Sequence, residues 1–213
     1  EALANLLNEY FTPMTNIVLN SGGLLDKYIG DALMAVWGAP LPMDNHADNA
    51  LHSSLKMLDA LDVLREGWLK KNLPAIDIGC GINTGPMVIG NMGSDLRFDY
   101  TVLGDAVNLG ARLEGITKEY GVRVVCSEMT RVALKRPQDF VLRELDWIKV
   151  KGKNEPVTIF EVMRFSHEKR DSAEQTAGLF KEGLTHYRQR NFTSAQQTMM
   201  MILQKINSSS KVM

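Results

Sequence analysis

The sequence predicts a mixed fold of helices and strands, on three observations. Short apolar runs closed by glycine alternate with longer stretches whose apolar residues recur every three or four positions. Two of the runs fold against each other about Gly30-Asp31. Another, Phe98 to Leu103, changes at Gly104-Asp105 from the period of a strand to that of a helix.

The chain of 213 residues has room for one domain with a sizeable core plus an appendage, or for two small domains. With 45% hydrophobic and 23% charged residues it is an ordinary globular composition, and a formal charge of −1 argues against a nucleic-acid footprint. There are only two cysteines, Cys80 and Cys126, each inside an apolar run, which argues against a disulfide framework and fits a reducing, cytoplasmic setting better. No apolar run reaches transmembrane length and no signal peptide is visible. The sequence starts at Glu1 already in helical pattern, as a piece of a longer protein would.

Taken in order, Leu3, Leu7, Tyr10, Phe11, Met14, Ile17 and Val18 mark an amphipathic helix that ends at Gly22-Gly23. Pro13 is expected to kink it or divide it in two. Leu24 to Trp37 then reads as a hairpin, with Leu25, Lys27 and Ile29 on one face of its first strand and Asp26 and Tyr28 on the other. After Pro40 and Pro42, Asp44 or Asn45 caps a second helix that continues to about Trp68. His46 and His52 are six apart, poor spacing for one helical face, and read as surface or packing residues. Ile76 to Thr84 alternates as a strand, Met87 to Ile89 is another, and the polar stretch Met92–Arg97 is expected to be a loop.

Beyond the helix that starts at Asp105, short strands are expected at Val122–Cys126, Phe140–Leu145 and Val157–Met163, with a short helix over Ser127–Leu134. Residues 165–172 read as a polar linker. From 173 to 207 two helical patterns follow, broken near Asn191. Phe180, Gly183, Leu184, Tyr187, Phe192 and Ala195 approximate the spacing of a tetratricopeptide-type (TPR-like) helical hairpin. A single repeat cannot stand alone, so this extension should pack on the domain or on a partner.

Four places carry chemistry. Asp31 stands beside Gly30 at the hairpin turn, either as an ordinary turn residue or as a carboxylate open to a hard cation. Lys27 precedes it by four residues, on a solvated edge or in a site. Asn108 and Arg112 share one helical face just past Gly104, where free backbone N–H groups and the positive dipole end favour phosphate. Lys149, Lys151 and Lys153 flank Gly152, to hold a phosphate or to solvate a hairpin tip.

The motifs D-K-Y-I-G-D and, some seventy residues later, D-Y-T-V-L-G-D-A-V-N-L-G-A-R-L-E together resemble the class III nucleotidyl cyclase catalytic domain. The resemblance covers roughly Glu1 to Met163, and implies a catalytic domain over residues 1–164. It implies an α+β fold, a sandwich around a ferredoxin-like core, with two such domains paired head to tail as a homodimer and active sites across their interface. It implies two divalent cations, Mg²⁺ or Mn²⁺, with Asp31 as one metal-binding aspartate. Lys27 and Thr101 match the purine-selecting positions. Lysine only donates, which suits the bare N1 of adenine and clashes with the protonated N1 of guanine. Thr101 can accept from the adenine amino group, but its hydroxyl can also donate, so it discriminates less firmly than aspartate would. The resemblance makes Asn108 the ribose-orienting residue, Arg112 the cation on the transferring phosphorus and Lys151 the holder of the terminal phosphates.

The family's first strand, with the other metal aspartate and a phosphate-cradling loop, precedes the helix at which this sequence begins. A second metal aspartate is therefore expected upstream of Glu1, and a chain without it is expected to be nearly inactive. The function implied is an adenylyl cyclase converting ATP to cyclic AMP and pyrophosphate. The alternatives are a guanylyl cyclase and a non-catalytic cyclase-like dimerisation domain. The expected setting is the cytoplasm, or the cytosolic part of a larger membrane-attached protein. An upstream sensor, or a protein partner on the C-terminal helices, completes the expectation; nucleic acid does not enter it.

Overall fold

The structure, a computed structural model, describes residues 2–94, 96–149, 156–165 and 167–209. They form two compact units, Glu1–Pro137 and Gln138–Met213.

In the first unit the helices α1 (Ala2–Asn20) and α2 (His46–Lys70) pack through Leu6, Tyr10, Met14 and Val18 on one and Met57, Leu61 and Trp68 on the other. The four-residue spacing on α1 is why these side chains share one stripe. Pro13 lies within α1 and does not divide it. An interior proline costs about 3 kcal/mol, whereas burying a large apolar side chain contributes about 1.5–3 kcal/mol. Four such residues flank Pro13 on both sides and outweigh it. Trp68 closes the stripe, its indole N–H donating to Glu9 Oε2 at 2.9 Å. That bond, and then the Lys71 ammonium, hold the Glu9 carboxyl below its usual range. Asn45 does occupy the N-cap of α2, but its amide donates to Asn49 Oδ1 at 3.2 Å and leaves the helix backbone uncapped by side chain. Leu61 is fully buried in this stripe, so Leu61→Ala should destabilise the fold by about 2–5 kcal/mol, read as a lower denaturant midpoint at unchanged slope.

The hairpin of β1 (Leu24–Ile29) and β2 (Ala32–Val36) lies on this helical pair through Leu33, Ala35 and Trp37. Its register departs from the expected alternation. Leu25 pairs with Ala35 and Lys27 with Met34, so Asp26 is an extra residue without a partner on β2. Such a bulge bends the strand and re-aims the side chain it carries. Tyr28 is tied to α1 by a 2.7 Å hydrogen bond with Thr15 and by its ring, 4.2 Å from that of Phe11.

Where Ile76 to Thr84 predicts a long strand, only β3 (Cys80–Ile82) is ladder-paired, parallel to β6 (Val124–Ser127). Alternation reports which side chains suit a pleat, but a strand lasts only as long as a neighbour is in register. The opposite correction applies to residues 92–97. Residues 92–94 and 97 belong to a hairpin of β4 (Val88–Ser94) and β5 (Arg97–Leu103), paired from Val88↔Leu103 to Ser94↔Arg97. Backbone pairing there overrides polar composition. The helix α3 (Asp105–Tyr120) begins where the change of period predicts, and packs directly on the backbone of β3. A Cβ on Gly81 would overlap α3 backbone atoms of Gly110 and Glu114, so only glycine allows this approach. The short helix α4 (Glu128–Ala133) is capped by Ser127, whose hydroxyl accepts from Thr130 N–H.

The second unit holds the antiparallel pair β7 (Leu142–Ile148) and β8 (Val157–Val162), followed by α5 (Arg170–Arg188) and α6 (Phe192–Ser209). The break between the helices falls at 189–191, with Arg190 at φ 62°, as the pattern near Asn191 predicts. Helix α5 starts inside the expected linker. Arg170 stabilises its first turn by bonding Glu174 at 2.7 Å and the Gln138 carbonyl at 2.6 Å. Against β7, the Arg188 guanidinium bonds Glu144 at 2.5 Å and covers the Trp147 ring at 3.8 Å. Among the described residues no helix is long and apolar enough to cross a membrane.

Candidate active site

The β1–β2 hairpin and the β5–α3 junction, both in the first unit, carry five of the six predicted site residues. Asp31 lies exposed on the turn that joins β1 to β2, where its carboxylate is open to a cation. Lys27 lies mid-strand with its side chain 41% exposed, and Thr101 lies on β5. The two are brought together by a residue that sequence reasoning passed over. Asp26, at the bulge, has a side chain only 1% exposed. Its Oδ2 stands 3.7 Å from the Lys27 ammonium and accepts a hydrogen bond from the Thr101 hydroxyl at 3.0 Å. The other oxygen, Oδ1, is buried without a hydrogen-bond partner. Strict alternation along β1 sends Asp26 away from Lys27; the bulge, invisible in the period, lets its carboxylate meet both Lys27 and Thr101.

From Thr101 the chain runs through Gly104, at φ 146°, into α3. A residue with a Cβ is strained at that angle, so glycine makes the abrupt turn that opens the helix. Asn108 and Arg112 follow one turn apart and both are exposed. The first turn of α3 is held from below by a second unforeseen residue. Asn83 donates to the Ala106 carbonyl at 2.8 Å and accepts from Ser127 at 2.6 Å. Ser127 caps α4, so one polar relay fixes the start of both helices. An asparagine just after a strand gives no sequence signal for this. The sixth predicted residue, Lys151, lies outside the described residues, as does the Lys153 beside it.

His46 and His52 are half-buried on α2, and no cluster of three or more His, Cys, Asp or Glu that could hold a metal occurs among the described residues. Cys80 and Cys126 are free thiols. Burial pushes both up to about 12, which removes them as nucleophiles near neutral pH. A single exposed carboxylate, Asp31, nevertheless fits a magnesium-type ion, which takes one or two carboxylates and fills its octahedron with water and substrate phosphate oxygens.

A donor-only lysine and a threonine hydroxyl thus meet on one carboxylate, an amide and a guanidinium stand on the first turns of α3, and a further carboxylate stands on the β1–β2 turn. The chain belongs to the family described as the adenylate and guanylate cyclase catalytic domain, whose model matches residues 1–163. Domains of this family act on a nucleotide as dimers and use divalent metal ions. The chain is 42% identical over 161 residues to an adenylate cyclase of Anabaena cylindrica, covering 73% of this chain and 31% of that protein. It is 38% identical over 160 residues to the terminal-differentiation-specific adenylate cyclase of Dictyostelium discoideum, covering 75% and 7%. It thus spans less than a third of either relative. Among solved structures, the adenylyl cyclase CyaB of P. aeruginosa superposes with a TM-score of 0.70 at 33% identity, covering 78% of this chain and 85% of that one. The guanylyl cyclase Cya2 gives 0.67 at 29% identity, covering 78% and 83%. The α+β fold and the cyclase assignment expected from the two motifs are borne out.

Proposed function

We propose that this chain is the catalytic domain of an adenylyl cyclase, converting ATP to 3′,5′-cyclic AMP and pyrophosphate. The observation that carries the choice of base is the meeting of Lys27 and Thr101, far apart in sequence, on the Asp26 carboxylate at 3.7 and 3.0 Å. A lysine that can only donate meets the bare N1 of adenine, and an acceptor beside it meets the 6-amino group. Guanine presents the reverse pattern, a protonated N1 and a 6-oxo group. The guanylyl cyclases among the similar structures share the fold, but the fold is common to both base choices.

In this reading Asn108 orients the ribose, and Arg112 meets the charge that builds on the pentacoordinate phosphorus. Lys151 holds the terminal phosphates. Asp31 would hold one of two Mg²⁺ or Mn²⁺ ions. Bound there, the metal would lower the pKa of the ribose 3′-hydroxyl and neutralise the triphosphate during in-line attack. One chain holds both the Asp31 and the Asn108/Arg112 kinds of residue, which suits a head-to-tail homodimer with two equivalent composite sites. Each site would then take Asp31 from one subunit and Lys27, Thr101, Asn108 and Arg112 from the other. Residues 1–164 would form the catalytic domain, and α5 with α6 a TPR-like extension that meets a sensor or protein partner.

The test is nucleotide selectivity in the full-length natural protein. Lys27→Glu combined with Thr101→Cys should move the ATP:GTP ratio of kcat/KM towards GTP by about tenfold or more, since each hydrogen bond reversed is worth roughly a factor of ten. A purified, folded double variant with unchanged selectivity would remove these two positions from the base pocket.

A further inference from the structure

We propose that Asp26 is a specificity-determining positioning residue, which makes Thr101 an acceptor towards the purine. The inference rests on the adenylyl cyclase reading and addresses what that reading leaves open. A threonine hydroxyl has one proton and two lone pairs, and can either donate or accept. A free Thr101 could accept from the 6-amino group of adenine or, after a rotation, donate to the 6-oxo group of guanine. By itself it is a weak filter.

The structure removes that freedom. The Thr101 hydroxyl proton is directed at Asp26 Oδ2 at 3.0 Å. An ionised carboxylate can only accept, so this bond has one polarity. Thr101 then presents lone pairs alone to whatever else approaches its oxygen. The 6-amino group of adenine is a donor and fits; the 6-oxo group of guanine is an acceptor and is repelled. The same Oδ2 stands 3.7 Å from the Lys27 ammonium, an ion pair that leaves the polarity of Lys27 unchanged, because an ammonium only donates.

Two further features set Asp26 apart from a routine strand residue. It occupies the β-bulge, where Leu25 and Lys27 pair with the adjacent residues Ala35 and Met34 and Asp26 with none. The bulge aims a polar side chain inward, where it is 1% exposed. Its Oδ1 is buried with no hydrogen-bond partner. A half-satisfied buried carboxylate is costly to keep for stability alone. Orienting the Thr101 proton gives it a function.

The experiment is a cycle of Asp26→Ala and Thr101→Val in the full-length protein, with kcat/KM measured for ATP and for GTP. Alanine leaves no acceptor for the Thr101 hydroxyl, which frees its proton for guanine. Asp26→Ala should lower the ATP:GTP ratio by about three- to tenfold, the worth of one hydrogen bond. In the Thr101→Val background, where no hydroxyl remains to be oriented, the same change should leave the ratio as it was. A merely structural Asp26 would lower both activities together; an unchanged ratio in Asp26→Ala therefore overturns the proposal. So does an equal shift with and without the Thr101 hydroxyl. Asp26→Leu, which also removes the acceptor but fills its space, serves as the second variant, and thermal melts show which variants fold. If neither folds, Asp26 is a residue of the fold and the proposal falls. A ratio that Thr101→Val itself does not move overturns instead the assignment of Thr101 to the base pocket, and the two failures are thus distinct.

Discussion

Asp31→Ala and Arg112→Ala, each nearly inactive alone, are expected to regain about a quarter of wild-type cyclase activity when co-expressed. The Asp31 variant loses a metal ligand from both sites of a homodimer. The Arg112 variant loses the cation that meets developing charge on phosphorus, an effect often worth ~3–4 kcal/mol, or about two to three orders of magnitude in rate. If a site takes Asp31 from one subunit and Arg112 from the other, a heterodimer has one site with both lesions and one with neither. Random pairing through a symmetric interface makes about half the dimers mixed, and half the sites of those are intact. The measurement is cyclic AMP production by the co-expressed full-length protein; heterodimers isolated through two different affinity tags, with one intact site of two, should reach about half of wild type. Heterodimers no more active than their parents would mean that Asp31 and Arg112 serve the same site from one chain.

Asp31→Asn is the second large effect. Asparagine is nearly isosteric with aspartate, but it carries no charge and is a poor ligand for a hard dication. Metal-dependent turnover should fall by about a hundredfold or more, because activation of the 3′-hydroxyl depends on the ion. Stability should change by no more than about 0.5 kcal/mol, since Asp31 is exposed on a turn and packs no core. Titration with Mg²⁺ and Mn²⁺ beside a thermal melt separates the two effects. Near-native turnover in the variant would rule out Asp31 as a metal ligand, whatever the melt shows.

Both outcomes depend on residues whose placement was legible in the linear pattern. The turn that exposes Asp31 is announced by Gly30 between two apolar runs. The shared face of Asn108 and Arg112 follows from their spacing once the period changes at Gly104, and the structure places α3 from Asp105 to Tyr120. The break between α5 and α6 near Asn191, and the short helix that follows the Val124–Ser127 strand, were equally local. Each depends on residues within one or two turns of each other, so composition and period carry the information. The family follows for the same reason: its two motifs are contiguous strings.

The tertiary structure decided what distant residues do to one another. Pro13 is carried within one helix because α2 buries the stripe on both sides of it. Residues 92–94 extend a strand because β5 lies in register beside them, while most of 76–84 finds no such partner. Asn83 anchors the first turn of α3 from a position 23 residues earlier. Asp26 meets Thr101 across a separation of 75 residues. Sequence period predicted Asp26 on the wrong face, because a bulge shifts the phase of a strand and arises from pairing, not from local preference. The sequence by itself determined which groups this protein has and the order in which it presents them. The direction of the Thr101 hydroxyl proton is a matter of long-range contact, and only the folded chain sets it.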